Sequence, residues 1–97
     1  MEVGLPAAYS LSQNYPNPFN PSTNIDFELT HDGKVNILLY DISGREIDVL
    51  VNEIMPAGFY TVKYNASGLS SGIYFYSINA KGDNQNFIKT KRMVLVK

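Results

Sequence analysis

The sequence contains no cysteine and no tryptophan, and it has no long apolar run. Without cysteine, neither a disulfide nor a cysteine-ligated metal can stabilise the fold, so side-chain packing must hold it together. A transmembrane helix needs about 18 or more apolar residues in succession, and we therefore expect no transmembrane segment. The formal net charge of −1 gives no overall attraction to nucleic acid, and we expect no nucleic-acid partner. Residues 1–4 lack a basic start and an apolar centre, so they predict no signal peptide.

Helical periodicity is also missing: the apolar pattern allows no more than one helical turn, at residues 50–53. Alternation of apolar and polar residues, which is typical of half-buried strands, takes its place. We predict seven strands: Tyr9–Ser12, Asn24–Leu29, Lys34–Tyr40, Arg45–Val51, Gly58–Tyr64, Gly72–Ala80 and Phe87–Val96, the last with or without a bulge near Lys91. The fold class is therefore all-β, an immunoglobulin-like antiparallel β-sandwich of about seven strands with Greek-key connections.

The phase of each strand predicts the core. The side chains expected to face inward are Ile25, Phe27, Leu29, Val35, Ile37, Leu39, Ile47, Val49, Tyr60, Val62, Tyr64, Tyr74, Tyr76, Ile78 and Ala80. Turns are expected at 31–33, 41–44 and 81–84, and a loop at 52–57. In the second turn, Gly44 supplies the positive φ, and Asp41 and Arg45 form an exposed ion pair of little energetic weight.

Three prolines alternate with three asparagines in residues 14–21, which read Asn-Tyr-Pro-Asn-Pro-Phe-Asn-Pro. Each proline fixes its own φ and keeps the preceding residue out of the helical region. Asparagine side chains close local turns on the backbone. The segment is therefore predicted to be a stiff, ordered loop that leads the chain into the second strand.

Leu69 to Tyr74 has the Leu-x-x-Gly-x-Tyr spacing of a tyrosine corner. This spacing predicts that the Tyr74 hydroxyl donates a hydrogen bond to the backbone near Leu69. The alternative is a core tyrosine whose hydroxyl faces water.

No set of residues predicts catalysis, a cofactor or a metal. The single histidine, His31, lies in a polar turn, and the carboxylates are scattered over outward strand positions, whereas catalysis needs convergent groups. Asp83, Asn84 and Asn86 could offer oxygen ligands to calcium, but a simple hairpin turn explains Gly82-Asp83 better. We therefore expect no enzyme.

Two features suggest binding. Phe59 and Phe75 are out of phase with the inward sets and would form an exposed aromatic patch if their strands were neighbours, unless one or both are buried. Near the end of the sequence, four of the eight cations fall within nine residues: Lys89, Lys91, Arg92 and Lys97. Such lysines protect an edge strand from aggregation, or they mark an address that a receptor reads by strand addition and charge.

Four blocks of the sequence together are similar to the type A C-terminal sorting domain of the type IX (Por) secretion system. They are residues 14–25, Val35 to Arg45, Ser71 to Tyr76 (Ser-Gly-Ile-Tyr-Phe-Tyr), and Lys91 to Lys97 (Lys-Arg-Met-Val-Leu-Val-Lys). The resemblance covers residues 11–97 and leaves residues 1–10 as a linker or first-strand lead-in. The pattern is also similar to the immunoglobulin-like domain of the flagellar hook-cap protein. Many family members have Trp-Asp/Asn-Gly where this chain has Tyr64-Asn65-Ala66, a departure that affects packing and the turn.

The resemblance implies a non-catalytic secretion signal that follows an N-terminal cargo domain. It implies transit through the periplasm, passage through the outer-membrane secretion machinery, removal by a surface sortase, and a final location at the cell surface or outside the cell. The recognition residues it implies are Gly72, Tyr74, Lys91, Arg92, Met93, Val94, Leu95, Val96 and Lys97. A final strand with a free edge would let the translocon dock there. The alternatives are a carbohydrate- or matrix-binding module that uses Phe59 and Phe75, and a structural spacer.

Overall fold

The computed structural model describes residues 4–97. Residues 1–3, which include part of the expected lead-in and of the segment tested for a signal peptide, lie outside the described residues. The strands are β1 Ser10–Leu11, β2 Ser22–Leu29, β3 Gly33–Tyr40, β4 Glu46–Met55, β5 Gly58–Asn65, β6 Gly72–Gly82 and β7 Gln85–Leu95. Among the described residues, no helix is long and apolar enough to cross a membrane.

The seven strands form two antiparallel sheets, as predicted. The smaller sheet has the order β1-β2-β5 and the larger has the order β4-β3-β6-β7. The connections from β2 to β3, from β4 to β5 and from β5 to β6 each cross from one sheet to the other, as in a Greek-key sandwich. β7 is therefore the last strand of the larger sheet, and its partner on the inner side is β6.

The core fills the space between the two sheets, and strand alternation decides which side chains enter it. The fully buried set consists of Leu11, Phe19, Ile25, Phe27, Leu29, Val35, Ile37, Leu39, Ala66, Tyr74, Tyr76, Ile78, Ala80, Met93 and Leu95. Tyr60, Val62 and Tyr64 are half-buried against this set. The inward phase predicted for β2, β3, β5 and β6 is thus confirmed.

The predicted turns carry the expected chemistry. Gly44 has φ 86°, and the Asp41 carboxylate accepts hydrogen bonds from Ser43 and from the backbone N–H of Arg45. The Arg45 guanidinium lies 3.1 Å from the same carboxylate, so the predicted ion pair is confirmed. These contacts, led by the Ser43 hydroxyl, lower the pKa of Asp41 to about 2. In the β6–β7 hairpin, Asp83 and Asn84 both have positive φ, as a tight two-residue turn requires.

β4 is where the prediction was wrong. The strand continues to Met55, so only Pro56 and Ala57 separate it from β5, and the loop predicted at 52–57 is wrong for residues 52–55. Residues 50–53, where the pattern allowed at most one helical turn, belong to the strand. The pairing with β3 shifts register twice, skipping Leu50 and Ile47, which are β-bulges. The bulges turn Leu50 toward the core and leave Val49 47% exposed, the reverse of its predicted orientation. β7, in contrast, pairs with β6 without a bulge.

Candidate recognition surface at the C-terminal strand

The nine residues implied as recognition elements come together on β6, on β7 and on the two residues that follow β7. The register pairs Gly72 with Leu95, Ile73 with Val94 and Tyr74 with Met93. Their side chains differ in accessibility: Tyr74, Met93 and Leu95 are buried, and Val96 is 51% exposed. Arg92 and Lys97 are exposed, and Lys91 and Val94 are half-buried. A partner can therefore touch only part of this set while the domain stays folded.

Tyr74 forms the predicted tyrosine corner. Its hydroxyl donates a 2.6 Å hydrogen bond to the Ser70 carbonyl, one residue from the expected position. The ring lies in the core. Tyr74 therefore fixes the loop between β5 and β6 against the start of β6. It affects the recognition surface only by setting the position of that loop.

The loop held by Tyr74 also holds the end of the sequence. The Lys97 backbone N–H donates to the Ser71 hydroxyl at 2.9 Å, and the Lys97 ammonium donates to the Ser67 carbonyl at 2.7 Å. Gly72 follows with φ 158° and with open space where a Cβ would lie. Its backbone conformation, and not a close neighbour, is therefore the reason for glycine at this position.

The outer edge of β7 is covered by the proline-rich loop, here called the strap (residues 13–21). Phe19 forms a parallel bridge with Leu95: its N–H donates to Val94 O, and its carbonyl accepts from Val96 N–H, both at 3.0 Å. The Asn17 side chain accepts from Val94 N–H at 3.0 Å. The Phe19 ring is buried, with 2% of its surface exposed.

The strap extends its cover to Arg92, because the Gln13 side chain donates to the Arg92 carbonyl. The expectation that the final strand offers a free edge is thus wrong between Arg92 and Val96. The reason is that the strap bonds the Arg92 carbonyl, both backbone groups of Val94 and the Val96 N–H, and strand addition would need these groups. Toward the hairpin the strap is absent, and among the described residues no strand pairs with the outward side of β7 at Asn86, Ile88 and Thr90.

A buried polar network fixes the strap to the core. Asn14, which is 2% exposed, donates through its side chain to Thr23 and to the Pro16 carbonyl. The Tyr76 hydroxyl accepts from the Asn14 backbone N–H at 2.8 Å and donates to the Ser12 carbonyl at 2.7 Å. Burial raises the pKa of Tyr76 to about 12, so this hydroxyl keeps its proton and its donor role at neutral pH. The network explains how a loop with three prolines stays ordered.

The predicted aromatic patch does not exist. Phe59 lies on β5 in the smaller sheet and Phe75 lies on β6 in the larger sheet. Phe59 is 55% exposed, but the two rings point away from each other on opposite outer faces of the sandwich. The prediction failed because alternation gives the face of each strand but not which strands are neighbours.

The residues considered for chemistry do not converge. His31 Nε2 lies 3.2 Å from the Asp83 carboxylate, and its Nδ1 lies 2.9 Å from the Thr30 hydroxyl, so the imidazole joins two turns at one end of the sandwich. Residues 4–97 hold no group of three histidine, cysteine, aspartate or glutamate side chains close enough to bind a metal.

Sequence reasoning missed the residues that hold the final strand: Gln13, Asn17 and Phe19 at its edge, and Asn14 with Tyr76 beneath the strap. The sequence did contain a signal for an ordered strap: asparagines recur, with one phenylalanine among them, in a segment that cannot be regular secondary structure. Nothing in that pattern says that its partner lies more than 70 residues later.

The strap and the final strand together are matched by a family model. The model of the secretion system C-terminal sorting domain matches residues 13–95, from the start of the strap to the end of β7. No curated protein matches the sequence.

One similar solved structure is the crystal structure of dimeric latent PorU from Porphyromonas gingivalis. The TM-score is 0.70, and the alignment covers 93% of this chain and 10% of that chain, with 17% sequence identity. The likeness shows a shared fold. Because the family model covers most of the sequence, the chain belongs to the family of C-terminal sorting domains of the type IX secretion system.

Proposed function

We propose that this domain is the address by which a cargo protein joined to its N-terminal side is carried through the outer-membrane type IX translocon. In this proposal the cargo reaches the translocon by way of the periplasm. A sortase at the cell surface then removes the domain. Sorting domains of this family are in general non-catalytic export signals, and we propose no reaction for the domain itself.

The observation that carries the proposal is the family match over both the strap and the final strand. The geometry supports it, because Gly72 and the segment Lys91–Lys97 lie side by side on one end of the larger sheet. A signal that is read while its cargo is folded must be accessible at the surface. The accessible side chains of the tail, among them Arg92, Val96 and Lys97, meet that requirement.

The test is a reporter enzyme fused to the whole chain, residues 1–97, and expressed in a bacterium with a type IX system. We expect reporter activity at the cell surface for the complete fusion, and in the periplasm for a fusion that lacks Met93–Lys97. Because Met93 and Leu95 belong to the core, circular dichroism of each purified fusion must accompany the export assay. Surface delivery of a fusion that lacks these five residues would end the proposal.

The geometry gives no support to the carbohydrate-binding alternative. That alternative uses Phe59 and Phe75 together as one binding platform, and the two residues lie on opposite sheets. Delivery of the reporter by residues 1–97 alone would also distinguish an export signal from a structural spacer, because a spacer would not direct the reporter to the surface.

A further inference from the structure

A largely apolar patch lies on the outer face of the larger sheet, beside the strap. It consists of Ile73, Phe75, Arg92, Val94 and Val96, here called the outer patch. Their alternate neighbours on both strands are buried, so these five side chains point away from the core. The register sets Phe75 opposite Arg92 and Ile73 opposite Val94, and Val96, which continues the alternation, is 51% exposed.

Arg92, the charged member of the outer patch, has no ion-pair partner among the residues that the structure describes. Both ion pairs among residues 4–97 involve other side chains, and Arg92 is exposed. Glu46 lies in the same cross-strand row, opposite Tyr40, but three strand spacings of roughly 4.8 Å separate it from Arg92. The row therefore presents an aromatic ring and a free guanidinium, a pair suited to an apolar surface that carries a carboxylate.

The strap decides how a partner can reach the tail. Strand addition between Arg92 and Val96 would have to break the bonds from Gln13, Asn17 and Phe19 and draw the Phe19 ring out of the core. A partner that docks on the outer patch leaves every one of these contacts in place. The sealed edge therefore favours reading by side chains on the face of the sheet.

We propose that the outer patch is the docking surface for the secretion machinery, and that its partner is a protein surface with apolar side chains bordered by a carboxylate that pairs with Arg92. This inference rests on the proposed sorting function. It assigns the contact to the exposed members of the tail and to Ile73 and Phe75. Tyr74, Met93 and Leu95 position the surface from below and do not touch the partner.

The test compares charge introduced within the patch with charge introduced outside it, in the reporter fused to the whole chain, residues 1–97. Val96→Glu and Arg92→Glu place carboxylates in the patch. Ile88→Glu on β7 and Ile54→Glu on β4 place them on the two edge strands of the same sheet, at residues that are 60% and 78% exposed. We expect surface delivery to fall about tenfold or more for the first pair, because like charges repel in a docked interface. Delivery should stay near the unsubstituted level for the second pair and for Arg92→Lys.

Thermal unfolding of each purified variant shows whether the fold is kept. If a variant has a lowered melting temperature, photocrosslinking from position 96 takes the place of its export assay, with position 88 as the control. Crosslinks to secretion machinery from position 96 alone support the proposal. Normal delivery of both Val96→Glu and Arg92→Glu, or equal loss in all four glutamate variants, would overturn it. Failure of the unsubstituted fusion to reach the surface would instead refute the sorting function.

Discussion

Replacing Phe19 with alanine tests whether the strap is held by burial of this ring. The ring is 2% exposed, and deletion of a fully buried phenylalanine side chain costs about 3–5 kcal/mol. Because Phe19 lies in a loop that can partly close the cavity, we expect the lower end, about 3 kcal/mol. A domain of this size has a free energy of unfolding of roughly 5–15 kcal/mol, so Phe19→Ala should remove a large fraction of it.

Urea denaturation followed by tyrosine fluorescence measures this loss. Thermal denaturation should show a corresponding fall in melting temperature of about 12–24 °C, at roughly 4–8 °C for each kcal/mol of unfolding free energy lost. Phe59→Ala is the matched control, because it removes the same atoms from a side chain that is 55% exposed. We expect the control to lose no more than about 0.5–1 kcal/mol of unfolding free energy.

Hydrogen exchange localises the effect. The Val96 amide donates to the Phe19 carbonyl and the Val94 amide donates to Asn17, so both should exchange faster in Phe19→Ala by more than the global loss of stability explains. The β6 amide of Ile78, in the sheet centre, should follow the global loss alone. The reasoning is refuted if Phe19→Ala costs no more than Phe59→Ala and if Val96 exchanges at the control rate.

Two further substitutions test the polar network and one turn. Tyr76→Phe leaves the Asn14 N–H and the Ser12 carbonyl without their partner, and we expect urea denaturation to show a loss of about 2–4 kcal/mol; a loss below about 0.5 kcal/mol would contradict the network. The pKa of Asp41 is about 2 in the folded domain, below its ordinary 3.8, so its stabilising effect is complete above pH 3.8 and is lost as the pH falls through 2. The difference in melting temperature between the unsubstituted chain and Asp41→Asn should therefore shrink from pH 5 to pH 2, and a constant difference would disprove the assignment.

Most of the fold could be predicted from local pattern. Strict alternation in β2, β5 and β6 gives both the strands and their inward faces, because the side-chain period of a strand is two residues. Residues 52–55 were predicted as part of a loop, although β4 continues through them. In the same strand, the alternation misled the prediction at Val49. Two bulges change the phase there, and a bulge leaves no mark in a single sequence when the skipped residues are ordinary apolar ones.

The surface was less predictable than the fold. The resemblance placed the recognition residues near the end of the sequence, and the tyrosine corner at Tyr74 followed from its spacing. The cover of the β7 edge by the strap could not be predicted, because the contact between Phe19 and Val94 depends on which segments are neighbours in space. The same lack of strand order produced the false patch of Phe59 with Phe75.

The bridge between Phe19 and Leu95 ties one of the earliest parts of the module to one of the last. Nearly the whole sequence must therefore be synthesised and folded before the outer patch takes its shape, since contacts between distant residues form late in folding. A half-made or unfolded copy has no such surface to show. A receptor that recognises this surface would therefore not bind incomplete or unfolded molecules, and no additional quality-control factor would be needed to exclude them.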